Sequence, residues 1–201
     1  MIRLLLAEDQ GMVRGALAAL LRLEGDIEVV AEIARGDAVV PAALQTQPDV
    51  ALLDIEMPGE DGLSAAKALH ERLPSCRIVI LTTFGRSGYL RRAMENGAVG
   101  FLLKEAPASE LAVAIRRVMA GDRVVDPELA LTALAEGTNP LTIREREVLA
   151  VARSGASLAD MAVQLSLSEG TVRNHLSVAI QKLGARNRME AARLAEQKGW
   201  L

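Results

Sequence analysis

Three acidic residues and one lysine follow short apolar runs at the points where those runs end. Glu8 and Asp9 come directly after the run Ile2–Ala7, Asp54 ends the run Val50–Asp54, and Lys104 directly follows the run Val99–Leu103. Carboxylates that crowd together repel one another unless a cation lies between them, and Mg²⁺ prefers such hard oxygen ligands. With Mg²⁺ and Lys104 neutralising the oxygens of an incoming phosphoryl group, Asp54 can act as an in-line carboxylate nucleophile. These residue types therefore predict a phosphoryl-accepting pocket, provided that the fold brings them together.

The elements that must position these residues are five short apolar runs, each too short for a buried helix. Segments with helical spacing separate the runs, and such alternation predicts a five-stranded doubly wound parallel α/β sheet. In an open parallel sheet, ligands bind at the carboxyl ends of the strands, which is where the acids, Thr82 and Lys104 fall. The predicted strands are Ile2–Ala7, Ile27–Ala31, Val50–Asp54, Ile78–Thr82 and Val99–Leu103.

Each pocket residue also has an ordinary structural interpretation. Asp9 fits a helix N-cap, Asp54 a loop carboxylate, Thr82 a strand threonine and Lys104 a solvated charge. Taken one at a time, these interpretations are the simpler ones. All four residues nevertheless fall at the ends of four different strands of one predicted sheet, which favours a shared site.

The chain changes character after Gly121, where the alternation of strands and helices stops. We expect a domain over residues 1–122, a linker over 123–139 that contains one helical patch at Glu128–Glu136, and a small all-α domain over 140–201. The last part opens with Thr142 and Glu145 at the spacing of a capping box, in which each side chain satisfies an amide of the first turn. Two domains of different fold class are therefore predicted.

Within residues 140–201 two amphipathic helices are separated by a short turn that ends at Ser168, a natural N-cap. This pattern predicts a helix-turn-helix, although spacing alone fits a plain helical hairpin with a solvated polar face equally well. In the first case polar side chains of the second helix reach base edges or phosphates in a DNA major groove. The candidates are Thr171, Arg173, Asn174, Ser177 and Lys182.

Composition narrows the class of protein. Residues 1–122 hold 13 Lys and Arg against 17 Asp and Glu, whereas residues 140–201 hold 9 against 6, so a polyanion is expected to meet the C-terminal part alone. The lone Cys76 cannot form an internal disulfide. The N-terminal apolar run is shorter than a signal peptide requires, and no run is long enough to span a membrane. We therefore expect a cytoplasmic protein.

At this point the residues match a family. Ala7–Gln10, Asp54–Gly59, Leu81–Thr83 and Leu103–Lys104 resemble the receiver domain of bacterial two-component response regulators. The resemblance covers residues 1 to about 122 and implies a histidine kinase as phosphoryl donor. Beyond phosphoryl transfer to itself and hydrolysis of the product, it implies no enzyme activity.

The resemblance also implies a role for individual residues. Asp54 would be the phosphoacceptor, and Glu8, Asp9, Asp54 and the backbone carbonyl of Glu56 would hold Mg²⁺. Lys104 would contact the phosphoryl group.

Thr82 and Phe101 would form the switch pair of such a receiver. An aromatic residue at the end of a strand is otherwise ordinary core. Phe101 departs from the tyrosine of many receivers, and Glu105–Pro107 departs from the earlier proline found there.

The C-terminal part resembles the LuxR/NarL class of output domains in three stretches. These are Leu141–Leu149, Gly170–His175 and Lys182–Gly184. The resemblance implies a DNA promoter as target and a homodimer on phosphorylation, paired through the last helix at Arg188 to about Lys198. His175 is expected to pack or to contact a phosphate, since His70 lies in the other domain and no zinc site can be assembled.

Within the family, likeness at Ala7–Gln10, Asp54–Gly59, Leu81–Phe84 and Gly170–Asn174 extends to regulators of membrane-lipid desaturation. That would imply a lipid desaturase promoter as target and a membrane-embedded kinase as donor. No residue in the sequence specifies either.

Two other functions stay open from the sequence. A phosphohydrolase with an aspartyl nucleophile matches Asp54–Glu56 superficially, but such enzymes usually carry the nucleophile on the first strand. A DNA-binding regulator that ignores phosphate, with a vestigial pocket, has the same architecture. In that case Asp54→Ala would leave dimerisation and DNA affinity unchanged.

Overall fold

The computed structural model describes residues 1–83, 85–105, 108–135 and 138–201. Three features of the sequence analysis lie outside these residues, in whole or in part. They are the family likeness at Phe84, the last two residues of the departure at 105–107, and Glu136 at the end of the predicted helical patch. The chain divides into two compact units, one formed by residues 1–85 and 90–131 and the other by residues 86–89 and 132–201.

The first unit is built on a parallel sheet in the strand order β2-β1-β3-β4-β5-β6. The order reverses beside β1, so the crevice between β1 and β3 is the point where a doubly wound sheet binds ligands. The strands are β1 (Ile2–Ala7), β2 (Ile27–Ile33), β3 (Val50–Leu53), β4 (Arg77–Thr82), β5 (Ala98–Leu103) and β6 (Val124–Val125).

The central strands contain continuous apolar runs, Leu4–Ala7, Val50–Leu53 and Ile78–Leu81, because helices cover both faces of the sheet. Leu4 and Leu6 of β1 join a core cluster with Ile115 and Val118 on one face. Leu5, which lies between the two leucines and therefore points the other way, is also completely buried. A continuous apolar strand is thus the signature of a sheet with two covered faces.

Within the residues that the structure describes, the sheet has six strands, so the expectation of five was wrong by one edge strand. β6 pairs with β5 through Val124 and Val125 only. Two residues are too few to show any periodicity in sequence, and these two lie inside the predicted linker. Their pairing with β5 depends on tertiary structure, and no local sequence pattern indicates it.

The helices follow the strands in alternation and then continue alone. In the first part of the chain they are α1 (Gly11–Arg22), α2 (Val39–Thr46), α3 (Gly62–Arg72), α4 (Ser87–Glu95), α5 (Ala108–Met119) and α6 (Pro127–Ala135). The later ones are α7 (Ile143–Ala152), α8 (Leu158–Leu165), α9 (Glu169–Leu183) and α10 (Arg188–Gln197).

Side-chain caps define the helices of the second unit. Both predicted capping boxes are present, at Thr142 with Glu145 and at Ser157 with Asp160, and Ser168 caps α9 as expected. Ser166, with φ +54°, ends α8 in the left-handed region and turns the chain toward α9. These caps set the length of the turn between α8 and α9.

The core of the second unit draws on all four of these helices. Val148, Met161, Val172 and Ala191 come from α7, α8, α9 and α10 in turn, and all four are completely buried. In the described part of the chain, no helix has both the length and the apolar character to cross a membrane.

Candidate functional site

The register between β1 and β3 brings the acidic residues together. Ala7 pairs with Leu53, and the Asp54 amide donates to the Ala7 carbonyl at 2.9 Å, so the residues that follow each strand emerge side by side. Carboxylate oxygens of Glu8, Asp9 and Asp54 all lie within 4.8 Å of one another. Glu8 and Asp54 are buried, whereas Asp9 is exposed and leaves the cluster open to solvent.

Lys104 reaches into this cluster from the end of β5. Its backbone amide donates to the Thr82 carbonyl at 2.8 Å, which ties it to β4. Its Nζ lies 2.6 Å from Glu8 Oε2 and 2.9 Å from Asp54 Oδ2. One ammonium thus bridges carboxylates that belong to two neighbouring strands.

The charges in the cluster do not balance. Burial raises the pKa of Glu8, and the negative charge of Asp54 raises it further. The hydrogen bond from Lys104 lowers this pKa, but the two other effects outweigh it. Burial alone would lower the pKa of Lys104, but its hydrogen bonds to Asp54 and Glu8 outweigh that effect and raise it. Lysine is therefore held as a cation while the carboxylates remain in excess.

This donor set fits a divalent cation that prefers oxygen. Three carboxylates face one ammonium, and the exposed Asp9 offers a route by which a hydrated ion enters. Mg²⁺ retains several waters and needs one or two direct carboxylates, which an open cluster of this kind supplies. Glu56, whose backbone carbonyl is predicted to bind Mg²⁺, lies exposed in the loop after β3.

Thr82 and Phe101 lie on the same face of the sheet. Phe101 pairs with Ile80, and Thr82 is two residues further along β4, so the two side chains are diagonal neighbours. Both are completely buried. The structure thus shows Phe101 in an inward position.

Two residues that support the cluster were missed from sequence. Arg14, in the first turn of α1, donates from Nη1 to the Glu8 carbonyl at 2.7 Å and holds the backbone that carries the acids. Gly62 opens α3 so close to β3 that a Cβ there would lie 1.8 Å from the Asp54 carbonyl oxygen. No local sequence pattern indicates the contact between Arg14 and Glu8, which lie six residues apart. A glycine directly after the N-cap Asp61 does hint that another part of the backbone approaches the start of α3 closely.

In the second unit, α8, a short turn and α9 form the predicted helix-turn-helix. Arg173, Asn174 and Ser177 are exposed on α9, as DNA contacts require. Thr171 is half-buried, and its hydroxyl lies 2.8 Å from that of the N-cap Ser168.

Lys182 has an internal partner that the sequence did not suggest. Its Nζ donates to both oxygens of Glu145, at 2.9 and 2.8 Å. Glu145 is buried and also accepts from the Thr142 amide, so the last turn of α9 is tied to the first turn of α7. Burial would raise the pKa of Glu145, but the hydrogen bonds from Lys182 and Thr142 outweigh it and lower that pKa.

Two protein-family models match separate parts of the chain. Residues 4–116 match the response regulator receiver domain, and residues 139–195 match the bacterial regulatory proteins of the luxR family. The second family is one of bacterial regulatory proteins, in agreement with the transcriptional regulators among the relatives of the whole chain.

Similar proteins extend over the whole chain. The transcriptional regulatory protein DesR of Bacillus subtilis is 48% identical over 200 residues, which cover 100% of this chain and 99% of DesR. The uncharacterized transcriptional regulatory protein YvfU of the same organism is 47% identical over 201 residues and 100% of both chains.

Among solved structures, the response regulator ChrA of a heme-sensing two-component system is 36% identical, with a TM-score of 0.58 over 100% of this chain and 98% of ChrA. Because both family models match and full-length relatives are nearly half identical, the chain belongs to the two-component response regulators that join a receiver domain to a LuxR-type DNA-binding domain.

Proposed function

We propose that this response regulator is phosphorylated on Asp54 by a histidine kinase in a Mg²⁺-dependent reaction, and that phosphorylation promotes dimerisation and sequence-specific DNA binding. The observation that carries the proposal is the convergence of Glu8, Asp9 and Asp54 within 4.8 Å, with Lys104 bridging two of them. An ordinary helix cap or solvated lysine needs no such convergence.

In the proposed reaction one Asp54 oxygen forms a bond to phosphorus while the bond to the donor's leaving group breaks, and that bonding pair departs with the leaving group. Bound Mg²⁺, held by Glu8, Asp9, Asp54 and the Glu56 carbonyl, supplies charge neutralisation for the phosphoryl oxygens. Lys104 already donates to Asp54 at 2.9 Å and is therefore placed to pair with a phosphoryl oxygen attached there. Asp54 needs no separate base, because a carboxylate is the nucleophile.

Phosphorylation adds roughly −1.5 to −2 charges to a pocket that already has carboxylates in excess. We propose that the Thr82 hydroxyl turns toward the new oxygens and that Phe101 shifts with it, since the two residues are diagonal neighbours on β4 and β5. Their burial supports the proposal, because a buried side chain cannot move without displacing its neighbours.

In the DNA-bound dimer, α10 pairs two copies so that their α9 helices meet half-sites about one DNA turn apart. Contacts to base edges or phosphates come from Thr171, Arg173, Asn174, Ser177 and Lys182. Three of these are freely exposed on α9, whereas Lys182 must share or release Glu145 to reach a phosphate. We assign the receiver to residues 1–122, the linker to 123–139 and the output domain to 140–201, and place the protein in the cytoplasm with its DNA.

The promoter of a lipid desaturase stays a prediction. DesR and YvfU are equally similar to this chain, at 48% and 47% identity, so likeness favours neither one's target. Sequencing the DNA fragments that the protein retains from a genomic library of its own organism would name the operator.

The proposed phosphorylation is tested on wild type, Asp54→Ala and the control Asp122→Ala, an exposed acid paired with Arg117 at the end of α5. Each protein is incubated with Mg²⁺ and acetyl phosphate, then examined by intact mass and light scattering. We expect one phosphoryl group and a dimer in wild type and the control, and neither in Asp54→Ala. A phosphorylated Asp54→Ala protein would refute the assignment.

Two outcomes would favour the other functions. Operator binding by wild type with no mass gain would indicate the phosphate-independent regulator with a vestigial pocket. Rapid steady-state turnover of a generic phosphoester would indicate the phosphohydrolase.

A further inference from the structure

A shallow groove runs along one side of the recognition helix in the second unit. Arg173 and Ser177 of α9 form one wall, and Asn187 and Arg188 at the start of α10 form the other. Ser157, the cap of α8, lies at its edge. Every one of these side chains is polar, and two of them carry a positive charge.

The two arginines of the groove differ from four other basic side chains of the second unit, which are paired with acids. These four form the ion pairs Arg144–Glu147, Arg153–Glu196, Lys182–Glu145 and Arg186–Glu190. Among the residues that the structure describes, no carboxylate lines the groove. Arg188 donates a long hydrogen bond, 3.9 Å from Nη1 to the sulfur of Met161, which is a weak acceptor. The groove therefore presents guanidinium groups without a competing anion.

The floor of the groove is apolar, formed by Leu158, Leu176 and Ile180. A DNA strand combines an anionic phosphate with a largely apolar deoxyribose face, which matches basic walls above an apolar floor. The groove is also continuous with the predicted DNA contacts, because Arg173 and Ser177 belong to both. When α9 enters a major groove, the strand bordering that groove must run along one side of the helix.

We propose that this groove holds a backbone phosphate of the DNA strand bordering the major groove entered by α9, and that Arg188 donates to that phosphate. The inference rests on the proposed DNA binding and adds a contact from α10, outside the helix-turn-helix. A guanidinium presents two parallel N–H donors to a phosphate, so arginine suits this place better than lysine. Such a contact fixes the position of the protein on the duplex without selecting its sequence.

The test compares full-length wild type with Arg188→Gln and Arg188→Met, all treated with Mg²⁺ and phosphoramidate. Affinity for a fluorescent mixed-sequence duplex of about 30 base pairs, long enough for two half-sites, is measured against salt concentration. In the dimer each copy loses one phosphate contact, so the steepness of log K against log salt falls by about 1.8, and the loss of affinity between about 50 and 200 mM salt shrinks about tenfold. We expect this change in both variants, equally on AT-rich and GC-rich duplexes.

Arg144→Gln is the matched control, because it removes the same charge from an exposed site on α7 outside the groove. We expect its salt slope to equal that of wild type, and Arg188→Lys to keep the slope with weaker affinity. Fluorescence of the lone tryptophan, Trp200, which is buried in the core of the second unit, verifies folding of each variant.

The outcomes separate this inference from the function on which it rests. A wild-type slope in folded Arg188→Gln and Arg188→Met, with duplex binding intact, would overturn the groove and leave DNA binding standing. If a variant loses both DNA affinity and the dimer mass seen in light scattering, the groove contacts a second copy of this chain. That result would also overturn the proposed phosphate contact. Absence of duplex binding in wild type would overturn both proposals.

Discussion

Each unit contains a lysine that donates to buried carboxylate, and the two sites differ in their balance of charge. Lys182 meets a single acid, Glu145, whose remaining hydrogen-bonding capacity is used by the first turn of α7. Lys104 meets Glu8 and Asp54 with Asp9 close by, and the single positive charge of one ammonium cannot neutralise three carboxylates. The pKa of the buried glutamate is lowered in the first site and raised in the second.

The difference separates a structural ion pair from a site built for chemistry. A balanced pair stabilises the charged state of both partners and has no use for a ligand. An unbalanced cluster stores repulsion that a cation relieves, and this cluster contains Asp54, the proposed phosphoacceptor. Removing one side chain at a time should therefore have opposite consequences in the two units.

The largest contrast is expected between the two lysines. Lys104→Gln removes the ammonium that faces Asp54 and should slow phosphorylation by acetyl phosphate about 10²- to 10³-fold, the usual effect of losing a preorganised charge. Lys182→Gln should leave the rate unchanged, since it lies in the other unit. The rates are measured by intact mass over time, and equal rates in the two variants would contradict the comparison.

A second contrast lies within α7. Glu145→Ala leaves Lys182 and the Thr142 amide without their partner and should lower the free energy of unfolding of the second unit by about 2–4 kcal/mol. Glu147→Ala, two residues away, breaks an exposed pair with Arg144 and should cost about 0.2–0.5 kcal/mol. Urea unfolding followed by Trp200 fluorescence measures both. A cost below about 1 kcal/mol for Glu145→Ala would show that this ion pair does not stabilise the unit.

Two glycines near helix starts sharpen the same distinction. In Gly62→Ala the new methyl group would meet the Asp54 carbonyl, so we expect a loss of about 1–3 kcal/mol and slower phosphorylation. In Gly170→Ala the nearest atom is Ser168 Oγ at 3.8 Å, so the first turn of α9 should gain up to about 0.5–1 kcal/mol. Thermal unfolding and the phosphorylation rate serve as readouts. A Gly62→Ala protein that phosphorylates at the wild-type rate would contradict the close approach to Asp54.

The smallest effects are opposite pH dependences at the two glutamates. The folded pKa of Glu145 is lowered, so its contribution to stability is present above the ordinary value of 4.5 and is lost as pH falls through the folded pKa. The folded pKa of Glu8 is raised, so its contribution is complete below 4.5 and is lost as pH rises through the folded pKa.

Consequently Glu145→Gln should abolish part of the acid sensitivity of the second unit, whereas Glu8→Gln should stabilise the first unit near neutral pH. Amide hydrogen exchange measured by NMR on β1 and α7 reports the two units separately. The same sign of change in both units would show that the two sites are electrostatically alike.

Much of this protein could be predicted from local patterns. The five longer strands, the caps at Thr142, Ser157 and Ser168, and the helix-turn-helix all depend on neighbouring residues along the chain, which sequence displays directly. The convergence of acids was also predictable, because parallel strands present their carboxyl ends at one edge. Three contacts could not be predicted: the pairing of β6 with β5, the hydrogen bond from Arg14 to Glu8, and the Glu145–Lys182 ion pair. Each of them connects residues that no periodicity of the sequence relates.

Residue types and their order were sufficient for the fold class, the phosphoryl-accepting chemistry expected at Asp54 and the polar outer face of α9. Distances between distant parts of the chain were not, because they follow from how helices and strands pack against one another. The register of β1 against β3 places Glu8 beside Asp54, and the packing of α7 against α9 gives Lys182 an internal acid as a partner. The packing of α10 against α9 sets Arg188 across a groove from Arg173, at a separation of 15 positions along the chain.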